Sequence, residues 1–401
     1  MKLSRISLAV AIVAGAGFAA PAWAQSGMDF RVSGFGTVGW AKTDTDNVEF
    51  AFLGQPTGAG SSGSFEPDSR LGLQFDATFN PTFSATLQLL SKYNGDGNQH
   101  PGVEWAFAKA KLGHGFNARV GRIGAPFFMV SDFREVGYAN VYLRPPADVY
   151  NQVPLRSFDG VDLMYAGALG KIPFTAQFYY GNTTVPFLHF NAKFDKQVGM
   201  NVTAEVLDGL TLRAGHSQGD LTLDSGAILG LVDALAQTPW KSTGEQINCT
   251  KRKASFTGLG VSFEQGNWVG AAEYTFRRTD CSVSDTTGWY VMGGYRFGNW
   301  TPYAIVSSVT NDDSNVVNTV PVGISAPVTD LSMAVQGLIN SQIVEQRGTA
   351  LGLRWDAWRN VAVKAQYERV DTKGTNGFFL VNGASPTRPV NVFSLAVDFV
   401  F

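Results

Sequence analysis

Apolar and polar residues alternate along most of this 401-residue chain, and this pattern constrains its fold more than any other feature. In residues 68–80, for example, Leu71 and Leu73 fall on one face of an extended strand, while Arg70 and Gln74 fall on the other. Successive side chains of a strand point to opposite faces, so a period of two predicts strands with one apolar and one polar face.

Sixteen segments carry this pattern, and an even number suits a closed antiparallel barrel. They begin near residues 29, 68, 82, 103, 115, 158, 172, 195, 209, 255, 267, 286, 299, 346, 359 and 391, and the one near 195 is the weakest. Six aromatic residues near strand ends are predicted to lie at the membrane interfaces. They are Trp40, Trp268, Trp289, Trp300, Tyr274 and Tyr303.

The connections between these segments alternate between short and long. The short ones are rich in the turn-forming residues Gly, Asn, Asp and Pro, and lie at 80–82, 113–115, 170–171, 208–209, 265–266, 298–299 and 357–360. The longer ones lie at 42–67, 94–102, 125–157, 182–194, 219–254, 280–285, 310–345 and 372–390. Short turns on one side and long loops on the other are typical of bacterial outer-membrane barrels.

The last segment, "NVFSLAVDFVF" at 391–401, places an apolar residue at every second position. An exposed soluble edge strand of this kind would invite aggregation. We therefore predict that its apolar face contacts lipid, and that it pairs with the first segment to close the barrel.

The composition supports this fold class. Charged residues make up 16% of the chain, against about a quarter in soluble domains, and glycine (45 residues) and aromatic residues (12%) are abundant. No apolar run after residue 24 reaches the roughly 18 residues that a spanning helix needs. The sequence thus predicts an all-β, transmembrane antiparallel β-barrel of about 16 strands, and a large secreted all-β protein is the alternative.

The N-terminus has the features of a secretory signal peptide. Lys2 and Arg5 precede an apolar run at 8–20, and Ala22–Ala24 forms a small-residue cleavage site. This predicts a signal peptide at 1–24 and a barrel domain at 25–401, exported through the periplasm.

The net charge of the predicted mature chain is small. Removing Lys2 and Arg5 from 31 basic residues leaves 29 against 33 acidic ones, a net charge of −4. That balance argues against nucleic acid as a partner.

Taken together, the signal peptide, the sixteen strands, the alternating loops and the terminal Phe401 resemble the Gram-negative outer-membrane porins. The "RVGRIG" stretch at 119–124 is also similar to that family. The resemblance implies a homotrimeric channel in the outer membrane, in contact with lipid and lipopolysaccharide. It implies that Phe401 is part of the signal read by the assembly machinery. It also implies that the long loop 125–157, between the fifth and sixth strands, folds back into the lumen.

A loop inside a sixteen-stranded barrel would narrow its aqueous channel. The candidate loop residues are Asp132, Arg134, Glu135, Tyr138, Tyr142, Arg144, Asp148, Tyr150 and Arg156. The alternation also points basic wall residues inward, namely Arg70, Arg119, Arg213, Arg296, Arg354 and Lys364, together with the acids Asp76, Asp162, Glu273, Glu368 and Asp398. Opposed charges would set up a field across the narrowing, although the sequence does not give its sign. A surface lid or a subunit contact is the alternative for the loop, and a local salt bridge is the alternative for each arginine.

Cys249 and Cys281 lie in neighbouring loops of an exported chain, which favours a disulfide over two free thiols. The loops 219–254 and 310–345 contain apolar segments with a helical pattern. These segments could cap the entrance, bind an amphiphile or contact a neighbouring subunit.

We expect no catalysis, no metal and no cofactor. His216 and Ser217 are adjacent on a predicted strand, so they point to opposite faces and cannot easily share a proton.

The sequence favours a porin for passive diffusion of small hydrophilic solutes and ions. The alternatives are a channel selective for a carboxylate, sugar or phosphate, and a non-conducting barrel used for adhesion.

Overall fold

Sixteen antiparallel strands form a closed barrel in the structure, a computed structural model that describes residues 28–401. The predicted signal peptide lies outside the described residues. The barrel strands are β1 (Asp29–Thr43), β3 (Arg70–Thr78), β4 (Phe83–Lys92), β5 (Gly102–Gly113), β6 (Phe116–Gly124), β7 (Ser157–Leu169), β8 (Ile172–Phe187), β9 (Phe190–Leu207), β10 (Leu210–Asp224), β11 (Arg252–Gln265), β12 (Trp268–Thr279), β13 (Asp285–Tyr295), β14 (Trp300–Asp313), β15 (Gln346–Trp358), β16 (Val361–Asp371) and β18 (Val390–Val400). Two short strands, β2 (Val48–Phe50) and β17 (Phe379–Val381), pair separately. The predicted fold class is confirmed.

The strands present their apolar faces outward, as the alternation predicts. In β18, Phe393, Leu395 and Val397 are 41%, 54% and 40% exposed, whereas the intervening Ser394 and Ala396 are buried. Trp268 and Trp300 begin β12 and β14 and are exposed beside short turns. Tyr303, predicted at an interface, is instead buried inside the barrel. It lies three residues after the outward Trp300, so its side chain points inward.

The first and last barrel strands pair with each other and close the sheet. Their register runs from Phe35 opposite Val400 to Thr43 opposite Val392. Phe401 extends the pairing, because its backbone N–H and C=O each bond to the backbone of Gly34 at 2.9 Å. The Phe401 and Phe399 rings lie over Gly34 and Gly36, where an added Cβ would fall 2.3 and 2.4 Å from the ring carbons.

Eight loops connect the strands on one side of the barrel, and seven short turns on the other. We number the loops L1 (44–69), L2 (93–101), L3 (125–156), L4 (188–189), L5 (225–251), L6 (280–284), L7 (314–345) and L8 (372–389).

The prediction of a long loop at 182–194 is wrong. β8 and β9 continue as a hairpin to a two-residue L4, past an irregularity between Gly181 and Thr183. The stacked rings of Phe187 and Phe190, 4.5 Å apart, lie at the end of this hairpin.

Loops L5 and L7 each contain the helix that the sequence pattern indicated, and L5 contains a second, unpredicted one. Gly226–Ala236 and Lys241–Ile247 lie in L5, and Ala326–Gln342 lies in L7. They pack around one apolar cluster that includes Leu235 and Val335. Within residues 28–401, none of the helices is long and apolar enough to cross a bilayer.

We predict that Gly34→Val weakens barrel closure, because the new side chain occupies the space of the Phe401 ring. The expected loss is about 1–3 kcal/mol of unfolding free energy, measured by urea unfolding in detergent. Gly293→Val is the control, since Gly293 is on the outer face with no atom within 4 Å of an added Cβ. If both variants unfold at the same urea concentration, the glycine–phenylalanine packing does not contribute to closure.

Candidate functional site

Loop L3 lies inside the barrel, where basic wall residues bind its backbone carbonyls. The Lys364 ammonium donates to the carbonyl oxygens of Gly137 (2.7 Å), Asn140 (2.6 Å) and Tyr142 (3.1 Å), and forms an ion pair with Asp398 at 2.9 Å. Both charged side chains are fully buried, so the ion pair and the carbonyl oxygens offset the cost of burying the ammonium. Gly137 is required here, since a Cβ would fall 2.1 Å from Asp398 Oδ1.

Two arginines of the wall hold L3 in the same way. Arg354 donates to the carbonyl oxygens of Tyr138 and Asn140, both at 2.8 Å, and its guanidinium lies 5.0 Å from the centre of the Tyr138 ring. Arg213 donates to the carbonyl of Pro126 at 2.8 Å. These contacts join L3 to β10 and β15 at two separate points.

The second half of L3 is fixed by Arg144, which is buried against L1 and the wall. Its guanidinium donates to both carboxylate oxygens of Asp68 (2.9 and 2.6 Å) and to Ser394, and it stacks 4.3 Å from the Phe50 ring. Glu368 lies 3.7 Å away. Arg144 therefore acts as an anchor of the loop and does not face open lumen.

Tyrosines and one carboxylate fasten the apolar side of L3. Glu273 accepts hydrogen bonds from the Met129 backbone N–H (2.8 Å), from the Tyr290 hydroxyl (3.0 Å) and from the Tyr150 hydroxyl. Tyr142 packs edge-on against Tyr290. Tyr303 accepts from the Leu143 backbone N–H at 3.0 Å and donates to Gln366. The largest apolar cluster of the described residues lies along this contact.

Four cations surround one carboxylate on the opposite side of L3. Glu135 lies 2.6 Å from Lys92, 3.2 Å from Arg70, 3.7 Å from Arg156 and 3.8 Å from Arg134. Burial alone would raise the pKa of Glu135, but Lys92, Arg156, Arg70 and Arg134 hold it well below its usual value. We call these five residues the basic cluster. They line one pocket of the lumen.

The basic cluster brings together four residues that the sequence predicted and one that it missed. Lys92 is the last residue of β4 and directly opposite Arg70 in the sheet register. Because it is adjacent to the predicted loop 94–102, its inward direction was not apparent from the alternation. Register pairing with Arg70 is the signal that would have identified it.

Other predicted site residues lie apart from this cluster. Asp132 is exposed, and Asp148 is completely buried. Arg119 is paired with Asp162 near the short-turn side. Arg296 follows the end of β13 and pairs with Glu264 at the barrel rim, so it does not contact L3. Asp76 accepts from Gln74 and Thr86.

Cys249 and Cys281 are joined in a disulfide in the structure, which links L5 to L6.

His216 and Ser217, which are adjacent in sequence, point away from each other: the His216 ring contacts Thr257 at 2.8 Å, and the buried Ser217 accepts from Gln197. The expectation that the chain catalyses no reaction stays a prediction.

Comparison with known proteins gives matches only among solved structures, since no family profile and no curated protein matches the chain. OmpF of Salmonella typhi in complex with daunomycin is 14% identical, with a TM-score of 0.56, over 94% of this chain and 98% of that one. The anion-selective porin of Comamonas acidovorans is 11% identical, with a TM-score of 0.55, over 93% and 100%. The chain has the porin fold.

A third similar structure is in-vitro folded OmpT, an outer membrane protein of Vibrio cholerae, in a trimer form. It is 12% identical, with a TM-score of 0.52, over 93% of this chain and 99% of that one. The porin fold, together with the apolar outer belt, is that of a Gram-negative outer-membrane protein.

We predict that Lys364→Met releases the L3 turn from the wall. The variant loses three hydrogen bonds to carbonyl oxygens and leaves Asp398 buried without its cation, at a cost of about 3 kcal/mol. Hydrogen exchange at residues 137–143 should rise, measured by mass spectrometry in detergent. Lys171→Met, at an exposed short turn, is the control, and equal exchange in the two variants would contradict the anchoring role.

We predict a pH dependence of stability that originates at Asp148. Burial, together with the nearby Glu368, raises its pKa from 3.8 to about 7, even though Ser307 donates to it at 2.6 Å. The folded state therefore binds this proton more tightly than the unfolded chain. The stabilisation of the fold by the protonated Asp148 is complete below pH 3.8 and is lost as the pH rises through 7.

Urea unfolding at pH 5 and pH 8 measures this effect. From pH 5 to pH 8, the free energy of unfolding of the wild type should fall by on the order of 2 kcal/mol more than that of Asp148→Asn, because the asparagine cannot ionise. Asp132→Asn, at an exposed position of the same loop, should keep the wild-type pH dependence.

Proposed function

We propose that the protein is a water-filled channel for passive diffusion of small hydrophilic solutes and ions across the outer membrane, with L3 as its constriction. The observation that carries this proposal is the attachment of L3 to the inner wall through Lys364, Arg354 and Arg213. A loop that is fastened inside a sixteen-stranded barrel narrows the lumen at a fixed position.

The basic cluster supports a preference for anions. The five residues of the basic cluster, four cations and one carboxylate, have a formal net charge of +3. Arg156 is the most accessible of the four, with 27% of its side chain exposed, so it is best placed to meet a passing ion. Charges on a low-dielectric wall focus the field across a narrow passage and raise the local concentration of the opposite ion.

A homotrimer is part of this proposal, supported by the porin fold and by the trimer form of the Vibrio cholerae protein. The roles of Phe401 in assembly and of lipid and lipopolysaccharide as surroundings are proposed on the same basis. The packing of Phe401 over Gly34 gives that terminal ring a structural role in closure as well.

Reversal potentials in a KCl gradient across planar bilayers test the channel and its selectivity together. We predict that Arg134→Gln/Arg156→Gln lowers the chloride-to-potassium permeability ratio by roughly twofold to tenfold, because the formal charge of the basic cluster falls from +3 to +1. Glu135→Gln should change the ratio in the opposite direction. Arg122→Gln is the matched control, since Arg122 is on the outer face and paired with Asp159.

Two results would contradict the proposal. Correctly folded protein without any conductance would favour the adhesion alternative. A permeability ratio that is equal in the double variant and in Arg122→Gln would remove the basic cluster from the selectivity mechanism, although the channel itself would stand.

A further inference from the structure

An apolar cavity of about 430 Å³ lies on the loop side of the barrel, next to L3. Its floor is the L3 segment 151–155, its walls are the upper parts of β8 to β12 with L1 and L8, and residues of L5 and L7 contribute to its roof. Eight phenylalanines line it, among them Phe52, Phe127, Phe187, Phe190, Phe194 and Phe256. This volume is within the range of small-molecule sites, which are mostly apolar with a few polar groups.

The charged residues of the cavity have one sign. Lys193 and Arg277 line it, and no aspartate or glutamate does so among the described residues. Lys193 is paired with Asp224 at 3.5 Å. The three guanidinium nitrogens of Arg277 donate only to the backbone carbonyls of Gln152 and Ser284, and no carboxylate lies within 4.0 Å of them in the part of the chain that the structure describes.

Arg277 therefore carries a positive charge that neighbouring side chains do not compensate. Asp285 acts on it from a longer distance, but that carboxylate already accepts from the Thr279 backbone and from Asn315. The backbone carbonyls accept from three of its five N–H groups, so two N–H groups and the net charge are left for an anion.

We propose that this cavity binds an amphipathic organic anion, with an aromatic body against the phenylalanines and a carboxylate at Arg277. Aromatic rings pack favourably against phenylalanine rings at the distances found in protein interiors. The carboxylate gains charge-assisted hydrogen bonds from the guanidinium. A neutral aromatic compound satisfies only the first interaction, and a small hydrophilic anion only the second.

The position of the cavity connects it to the proposed channel. The pocket of the basic cluster shares Phe52, Leu53, Asn151 and Pro154 with the cavity. Arg134 and Arg156 line this adjoining pocket. The cavity thus lies where it would collect such anions at the mouth, ahead of the constriction.

Equilibrium binding of 2-naphthoate tests the proposal, with the full mature protein in lipid nanodiscs and empty nanodiscs as the blank. Naphthalene-2-carboxamide has the same rings without the charge, and acetate has the charge without the rings. We expect saturable fluorescence changes with 2-naphthoate, binding of the carboxamide that is at least about tenfold weaker, and no competition by acetate at the same concentration.

Five variants, three at arginines and two at phenylalanines, separate the two interactions. Arg277→Gln should lower the naphthoate affinity about tenfold, to that of the carboxamide, while Arg277→Lys keeps most of it. Arg278→Gln is the control, because this adjacent arginine is paired with Asp312 at 2.8 Å and does not line the cavity. Phe190→Ala should weaken both aromatic ligands about tenfold, whereas Phe65→Ala, at an exposed residue of L1 outside the cavity, should weaken neither.

Equal affinities of wild type for naphthoate and the carboxamide would overturn the proposal, as would equal naphthoate affinities of Arg277→Gln and Arg278→Gln. Binding is measured without ion flow, so neither result bears on whether the barrel conducts. Conversely, a non-conducting barrel that binds naphthoate as described would leave the cavity assignment in place.

Discussion

Hydrogen bonding between the first and last strands is the interaction on which the rest of the structure depends. In hydrocarbon an unpaired N–H or C=O costs several kcal/mol, so a sheet can cross a membrane only without free edges. Here β1 and β18 pair over nine residues, and Gly34 continues the pairing to Phe401. The glycines at 34 and 36 leave room for two phenylalanine rings, so the seam is covered on its lipid side. Once the cylinder is closed, its inner face can hold buried polar side chains such as Ser394 and Asp398 away from lipid.

Two sets of cations contact L3 on that inner face, and they bind different parts of the loop. The cations that fasten the loop, Lys364, Arg354 and Arg213, bind main-chain carbonyls, whereas the cations of the basic cluster surround a side chain, Glu135. Carbonyl oxygens belong to every residue type, so replacement of L3 side chains such as Arg134 does not by itself remove the first set of contacts, whereas a side chain at Gly137 would collide with Asp398. Substitutions in the basic cluster can therefore change the charge beside L3 while the carbonyl contacts keep the loop in position.

Much of the barrel could be predicted from the sequence because a period of two is a local signal that each strand repeats. The predicted starts of the barrel strands lie within a few residues of the observed ones. L4 was predicted too long because the alternation is interrupted at Gly181 and Asn182, although pairing resumes beyond them. Contacts between distant segments, such as Lys364 with Gly137 or Arg144 with Asp68, have no local signal. The phenylalanine-lined cavity could not be predicted from the sequence for the same reason, since its phenylalanines come from L1, L3, L8 and several strands.

The bond between Cys249 and Cys281 has a consequence for how the wall is built. Cys249 precedes β11 by three residues and Cys281 follows β12 by two, so the bond joins the open ends of one hairpin. A hairpin that is oxidised before it enters the membrane is a covalent ring whose two strands cannot separate. The L5 helix Lys241–Ile247 ends two residues before Cys249, so the disulfide also fixes the end of this helix next to the ring.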